Sequence, residues 1–450
     1  MKSSIFDADL VPLQALDVFD NEKMYIGLED SYEFKKQASL PFANNTPIIF
    51  DVEATSHTWT SPEMYVDVGV KVWQEATTEL EKKQTDLKDG FIPIKATDEM
   101  CLTMLPFHSL FSDVQVAVND LNLVSRTGLY PFMAFFDRVH LTHEDQHLID
   151  KTLELGDFDP EDWSKDINST FGKRRRCIAE GRECFLRGRL NVSLLHQDKF
   201  LLPGVNVTIT LHQTTPEFRI FSQLGKKLKV EITRAELIGR KVVSNPQLFQ
   251  LTMEALKREP AKYSFLRMEP TIFQMANGTS TIDRQITLPN GAIPRTVFVM
   301  SFDSAGVYGS YKMMPFKTQL MDISEIYMQI EEKVFPPYRY QEPITKIEGR
   351  MKVFSDYKEV CRALNKDLRY NTINFDTFKT YPAIAFNLDR LGALHRQERE
   401  VQTLPRTGVA TLHIKLKDPL INAMTFIVIC TYQNCVTFNE ALLPQTDYIN

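Results

Sequence analysis

In LPFHSLFSDVQVAVND, residues 105–120, His108 sets a base beside the hydroxyl of Ser109. Serine hydrolysis also needs an acid that orients the imidazole and donors for the oxyanion, and neighbouring side chains of an extended chain point apart. The pair therefore reads as structural, its side chains satisfying backbone groups where the chain enters a strand. A second group is His140, His143 and His147, with Glu144 among them. On a helix, His143 and His147 share a face at i, i+4, yet a zinc ion would need a third ligand. The flanking acids equally describe a solvated helix surface, so no metal is assigned. Cys177, Cys184 and His196 lack a fourth ligand at matching spacing. Lys173, Arg174, Arg175 and Arg176 form the one dense basic cluster, extended by Arg182, Arg187 and Arg189. Such a run suits a nuclear-import signal or a phosphate-contacting patch. It equally suits a solvated loop, or an interface with acids of a neighbouring subunit.

No GxxxxGK[ST], GxGxxG or GxSxG occurs, which leaves phosphate-cradling loops and nucleophile elbows without support. No catalytic residue and no cofactor is assigned, and a non-enzyme is expected. The hydrophobic share of 43% and charged share of 24% belong to a globular protein with a sizeable core. A net charge of −6 gives no whole-chain signal for nucleic acid or anionic membrane. Asp7 and Asp9 interrupt any apolar signal-peptide core, and AMTFIVIC (423–430) falls far short of the ~20 residues that span a bilayer. The six cysteines are scattered without a CxxC pair and are expected as reduced, mostly buried thiols. Sequons at Asn168, Asn191, Asn206 and Asn277 read as chance matches.

The elements that must position these residues are mostly strands. In MYVDVGVKVW (64–73), Val66, Val68, Val70 and Val72 alternate with polar or small residues, the pattern of a strand with one face on a core. DVQVAVN (113–119), VNVTITL (205–211) and TLHIKL (411–416) repeat it. RTVFVMSF (295–302) and MTFIVICTY (424–432) are apolar on both faces and fit central strands buried between layers. Helical patterns are few, at about 131–155 and at 355–364. Many strands with few inserted helices predict an all-β chain of sandwiches. The basic turn at Gly225, Lys226 and Lys227 separates two strand-rich halves, placing a boundary at 224/225.

Taken together, several stretches resemble the double jelly-roll major capsid proteins of Polinton (Maverick) elements and adintoviruses. The matching positions are His108, Ser109, Leu110, Phe111, Val116 and Asn119, then Tyr130, Pro131 and Phe132. In the second half they are Gly309, Ser310, Pro315, Phe316 and Ile326. Phe132 replaces a usual tyrosine, and Asp137 stands near a usual glutamate. The resemblance runs over about residues 40–440 and implies two antiparallel eight-stranded jelly-roll sandwiches side by side. Jelly rolls are expected at 41–224 and 225–440, and the N-terminal arm 1–40 and C-terminal tail 441–450, which match nothing well, read either as arms to neighbouring tiles or as disordered segments. It further implies a homotrimeric, pseudo-hexagonal capsomer in an icosahedral virion, assembled in the host cell, with the nucleus one location. Implied partners are further capsomers, a penton or minor capsid protein, and packaged DNA through the arginine cluster. The Met- and Phe-rich stretch 310–322 is then either an intersubunit surface or this subunit's own core. The alternative reading is a vertex, minor or host-domesticated capsid-like protein with a binding role.

Overall fold

The structure, a computed structural model, describes residues 28–38, 42, 46–83, 88–124, 126–141, 170–197, 199–223, 225–319, 321–336, 346–364, 375–388 and 407–446. In the first half the strands are β1 (Leu28–Gln37), β2 (Ile48–Val52), β3 (Thr58–Thr60), β4 (Tyr65–Glu75), β5 (Phe91–Pro93) and β6 (Met100–Leu102). They continue as β7 (Phe111–Val118), β8 (Leu121–Asn122), β9 (Cys184–Arg189), β10 (Val207–Gln213), β11 (Ile220–Ser222) and β12 (Leu228–Ser244). The second half holds β13 (Ala261–Met275), β14 (Thr281–Ile286), β15 (Thr296–Asp303), β16 (Ile323–Ile330) and β17 (Lys333–Phe335). It ends with β18 (Ile384–Asn387), β19 (Ala410–Leu416), β20 (Met424–Phe438) and β21 (Pro444–Thr446).

In the first sandwich one sheet runs β1-β12-β4, with β9 and β5 both along β4, and the other runs β2-β10-β7-β8. Counting the main strands β1, β2, β4, β7, β8, β9, β10 and β12 from one to eight, the sheets read 1-8-3-6 and 2-7-4-5. The second sandwich pairs β13-β20-β15-β18 against β14-β19-β16-β17, which is again 1-8-3-6 and 2-7-4-5. That order is the jelly roll, two Greek keys wound into a double sheet. The fold is therefore a double jelly roll, as the sequence suggests.

The division between the halves differs from the expected one. Strand β12 lies beyond residue 224, yet it pairs with β1 from Leu28↔Ser244 to Gln37↔Glu236 and with β4 from Leu228↔Gln74 to Ile238↔Tyr65. It is the eighth strand of the first sandwich, filling the gap between its first and third. The second sandwich begins only at Ala261, after the helix Pro246–Arg258. The expected arm and tail also carry sheet: β1 is an edge strand, and β21 pairs with the end of β20. Residues 1–27 and 447–450 lie outside the described residues.

Alternation fixes which faces are buried. Val66, Val68, Val70 and Val72 of β4, with Val114, Val116 and Val118 of β7, are each at most 2% exposed and meet across the first sandwich. Strands β15 and β20 are buried on both faces because helices cover the outer one. Phe136, from the helix Tyr130–Phe136, lies 4.7 Å from Phe298, and Tyr357, from the helix Ile347–Leu364, lies 6.3 Å from the same ring. Both helices sit in the connection between the fifth and sixth strands of their own sandwich. The helix from the first thus packs on the sheet of the second.

Candidate functional site

Around His108 the chain forms a short helix, Pro106–Ser109, before entering β7, rather than an extended lead-in. Leu105 precedes it at φ 52°, and Pro106 occupies the first turn, where a missing N–H costs nothing. His108 and Ser109 are 3% and 1% exposed. Ser109 Oγ donates to the Pro106 carbonyl at 3.1 Å, satisfying a backbone group. His108 Nδ1 lies 2.9 Å from the Tyr130 hydroxyl, which also accepts the Asn191 N–H at 3.2 Å. The histidine partner is therefore a phenol on a second element, and the pair does not form a serine–imidazole contact. Phe107, Leu110 and Phe111 are fully buried in the first core. Gly188 on β9 makes room for Phe107, since a Cβ at that position would overlap the ring.

Of the signature positions, Phe132, Gly309 and Phe316 meet at the seam between the two sandwiches. Phe132 lies 5.8 Å from Phe218, 5.1 Å from Phe302 and 5.5 Å from Phe316. Phe135 stacks on Phe316 at 5.2 Å and meets Tyr381 edge-on at 5.5 Å. Such packing adds to area burial through the ring quadrupoles. Gly309, at φ 97°, lies against Thr215, Glu217 and Phe218, a close approach that a side chain there would crowd. Beside it the Ser310 hydroxyl accepts the Lys312 N–H at 3.3 Å, shaping the turn that delivers Pro315 and Phe316. Met314, Phe316 and Met321 of the stretch 310–322 are buried in this subunit's own core.

Exchange across the seam is reciprocal. The first core contains Tyr263 and Phe265 of β13 and Val436 and Phe438 of β20. The Tyr263 hydroxyl donates to the Phe200 carbonyl at 2.9 Å and accepts the Leu202 N–H at 3.1 Å. Asn119 sits with Asp120 in the two-residue β7–β8 turn, at φ 42° and 69°. Its carboxamide donates to the Leu442 carbonyl and accepts the Asn206 N–H, both at 2.8 Å. His140 Nδ1 lies 2.8 Å from the Tyr357 hydroxyl, joining the two helices that cover the second sheet. Burial without a counter-charge drives the His140 pKa down to about 3. A cleft of about 50 Å³ opens at the seam beside Asp113, Tyr130 and Arg267, well below the ~300–1,000 Å³ of small-molecule sites.

The basic cluster is not one exposed surface. It lies on the helix Thr170–Ile178, where Arg174 and Arg175 are 2% and 7% exposed while Lys173 and Arg176 face outward. A continuous import or phosphate-binding strip would need all four in the open, so the expectation is corrected here. Arg175 lies over the Phe171 ring, and the Arg174 charge lies near the buried Cys101 thiol. Burial still pushes that thiol up. The supposed extension is paired off: Arg187 grips Asp67 in a fork at 2.6 and 2.7 Å, and Arg182 meets Glu180 at 2.7 Å. Arg189 donates to the Leu195 carbonyl at 2.5 Å.

The run His143 to His147 spells H-E-x-x-H, a zinc-protease spacing. Those residues lie outside the described ones, so the geometry of that group is not part of the site. Among the described residues no group of three or more His, Cys, Asp or Glu side chains could hold a metal ion. His196 Nε2 is engaged with the Leu190 carbonyl at 2.9 Å. Sequence reading missed Phe218, Tyr357, Gly188 and Arg219. The Arg219 guanidinium is fully buried and held by Thr214 and Gln213. A lone arginine in a PEFR turn carries no local signal of that burial.

The strand orders and the shared seam define a double jelly-roll protein, and solved structures of that kind match the chain along almost its whole length. A chain of the Sputnik virophage has a TM-score of 0.60 at 10% identity, over 96% of this chain and 91% of its own. The major capsid protein of faustovirus has 0.56 at 9% identity, over 97% and 94%. That of mavirus has 0.53 at 12% identity, over 92% and 90%. At these identities the likeness is one of fold. No protein-family model matches the sequence, and no curated protein matches it.

Proposed function

We propose that the protein is a major capsid protein, which self-assembles as a trimeric, pseudo-hexagonal capsomer tiling the icosahedral shell of a double-stranded DNA virus or virus-like element. One observation carries the proposal: two sandwiches of identical strand order are locked side by side into a single block. Three such blocks about a threefold axis present six similar sandwiches, the shape that fills a hexagonal lattice. The end-to-end likeness to viral capsid proteins supports it, as does the resemblance of the signature segments to the Polinton and adintovirus lineage. Function then lies in repeated contacts between copies, with a penton or minor capsid protein at the vertices. DNA or an import receptor would meet only the exposed Lys173 and Arg176 of the basic helix. Among the described residues no helix is long and apolar enough to cross a membrane.

Light scattering and negative-stain microscopy of the purified protein test this. The expected species is a trimer of about 156 kDa, three chains of 51.9 kDa, or closed shells. A chain that stays monomeric at high concentration overturns the proposal and favours a capsid-like binding protein.

A further inference from the structure

Elsewhere in this chain buried cations meet acceptors. Arg187 grips Asp67, Arg267 meets Glu269, and the Lys241 ammonium donates to the Glu53 carbonyl. Arg219 is held by Thr214 and Gln213. Arg174 and Arg175 depart from this rule. They are 2% and 7% exposed, yet among the described residues neither meets a carboxylate, and the Nε of each is buried without an acceptor. The helix Thr170–Ile178 lays them against the β6–β11 ribbon, where Cys101, Phe171, Phe221 and Met314 form a small apolar cluster. Arg175 lies 5.8 Å from the centre of the Phe171 ring. The Ser222 N–H donates to the Tyr311 carbonyl at 2.6 Å, which ties the loop carrying Met314 to the same ribbon. Both charges bear on the Cys101 thiol, but burial keeps that thiol protonated, so it supplies no counter-charge. Thr103 stands two residues further along, on the side of Cys101 by alternation, and its hydroxyl is also buried without a partner.

Taking a guanidinium out of water is costly unless acceptors or a counter-charge replace that water. Two such groups side by side also repel each other. A guanidinium has only donors, set in a planar fork that matches the oxygens of an oxyanion better than a halide. We propose that Arg174 and Arg175 hold a small inorganic oxyanion, phosphate or sulfate, between the basic helix and the β6–β11 ribbon. The ion neutralises the two charges and fastens the helix to the first sandwich. Burial sets its size, because a free ion can be enclosed as the chain folds, whereas a phosphate on a DNA duplex could not reach so closed a place. The ion is therefore distinct from anything that meets the outward pair, Lys173 and Arg176.

Prolonged equilibrium dialysis of the full-length protein against radiolabelled inorganic phosphate is the test. The protein should retain one phosphate per chain, displaced by sulfate but not by chloride at equal ionic strength. The double change Lys173→Gln and Arg176→Gln should leave that retention intact. The double change Arg174→Gln and Arg175→Gln should abolish it, with circular dichroism showing a folded chain. Where that variant does not fold, Arg174→Lys and Arg175→Lys keep the charge without the fork, and each should weaken phosphate retention. No label retained, label displaced equally by chloride, or label lost on changing the outward pair overturns the proposal. Displacement by a short DNA duplex also overturns it, because a nucleic-acid phosphate would then take the ion's place.

Discussion

His108 and Ser109 show how a residue's neighbours set its role. Ser109 Oγ donates only to a carbonyl of its own turn, so Ser109→Ala should cost about 1 kcal/mol and leave the fold intact. Leu110 is fully buried in the first core, and Leu110→Asp should abolish soluble protein because the charge finds no partner. Chemical denaturation of the first and expression yield of the second check both. His140 supplies a pH dependence. Its folded pKa of about 3 lies below the ordinary 6.5, so the folded state resists protonation and stability is lost as pH falls below about 6.5. At pH 5 the loss from this residue is about 2 kcal/mol. His196, lowered to about 4, acts in the same sense. Asp137, raised to about 6 by desolvation against the pull of Arg138 and Arg189, acts in the opposite one. Its folded state favours the protonated acid, so acidification below pH 6 relieves it. Denaturation of His140→Gln at pH 7 and pH 5 should show the acid loss shrunk by about 2 kcal/mol, and an unchanged loss would count against this role.

At the scale of elements, the strands are the most legible part of the chain. The alternation at 64–73 and 113–119 predicts β4 and β7 to within two or three residues, because one buried face imposes period two. The connection of β12 is not legible. Its own alternation marks it as a strand, but its partners β1 and β4 were made some 150 to 200 residues earlier, and nothing local names them. The composition break at Gly225 is real, yet it marks a turn within one sandwich. The helices were legible only in part: Thr170–Ile178 is weakly amphipathic, whereas Pro246–Arg258 carries signals that a strand-based reading leaves unused, an Asn245 cap, Pro246 in the first turn and an amphipathic face. Asn119 supplies a prediction at this scale, because one side chain holds a hairpin turn and ties it to the C-terminal segment. Asn119→Gly keeps the positive φ and loses two hydrogen bonds, for about 2 kcal/mol. Asn119→Ala also strains the left-handed backbone, for about 3 kcal/mol in all. Equal costs for the two substitutions, measured by urea denaturation, would refute the backbone part of the argument.

For the molecule as a whole, the seam makes two sandwiches unfold as one. Each core contains side chains of the other half, so neither can lose its packing alone. Calorimetry of the unmodified protein should show a single transition. Phe316→Ala removes a ring shared by Phe132, Phe135 and Phe218 and should cost about 3–5 kcal/mol. With the coupling weakened, two transitions should separate, and a single one displaced to lower temperature would place Phe316 outside the coupling. The candidate site was legible as a set of residues but not as a place. Phe132, Gly309 and Phe316 stand out in sequence, and only the fold brings them to one seam. The basic cluster misled for the complementary reason, since a helix puts successive residues on different faces and buries two of its four cations.

The reciprocal seam also dictates an order of folding. Asn119 and Leu442 are hydrogen-bonded across 323 residues of sequence, and the first core needs Val436 and Phe438 to close. A nascent chain leaving the ribosome cannot finish its first sandwich until the closing strand of the second has been made. Contacts so distant in sequence make folding slow and leave apolar strand edges open meanwhile. The first sandwich thus stays open until Val436, Phe438 and Leu442 have been made, and a product truncated before them cannot close it.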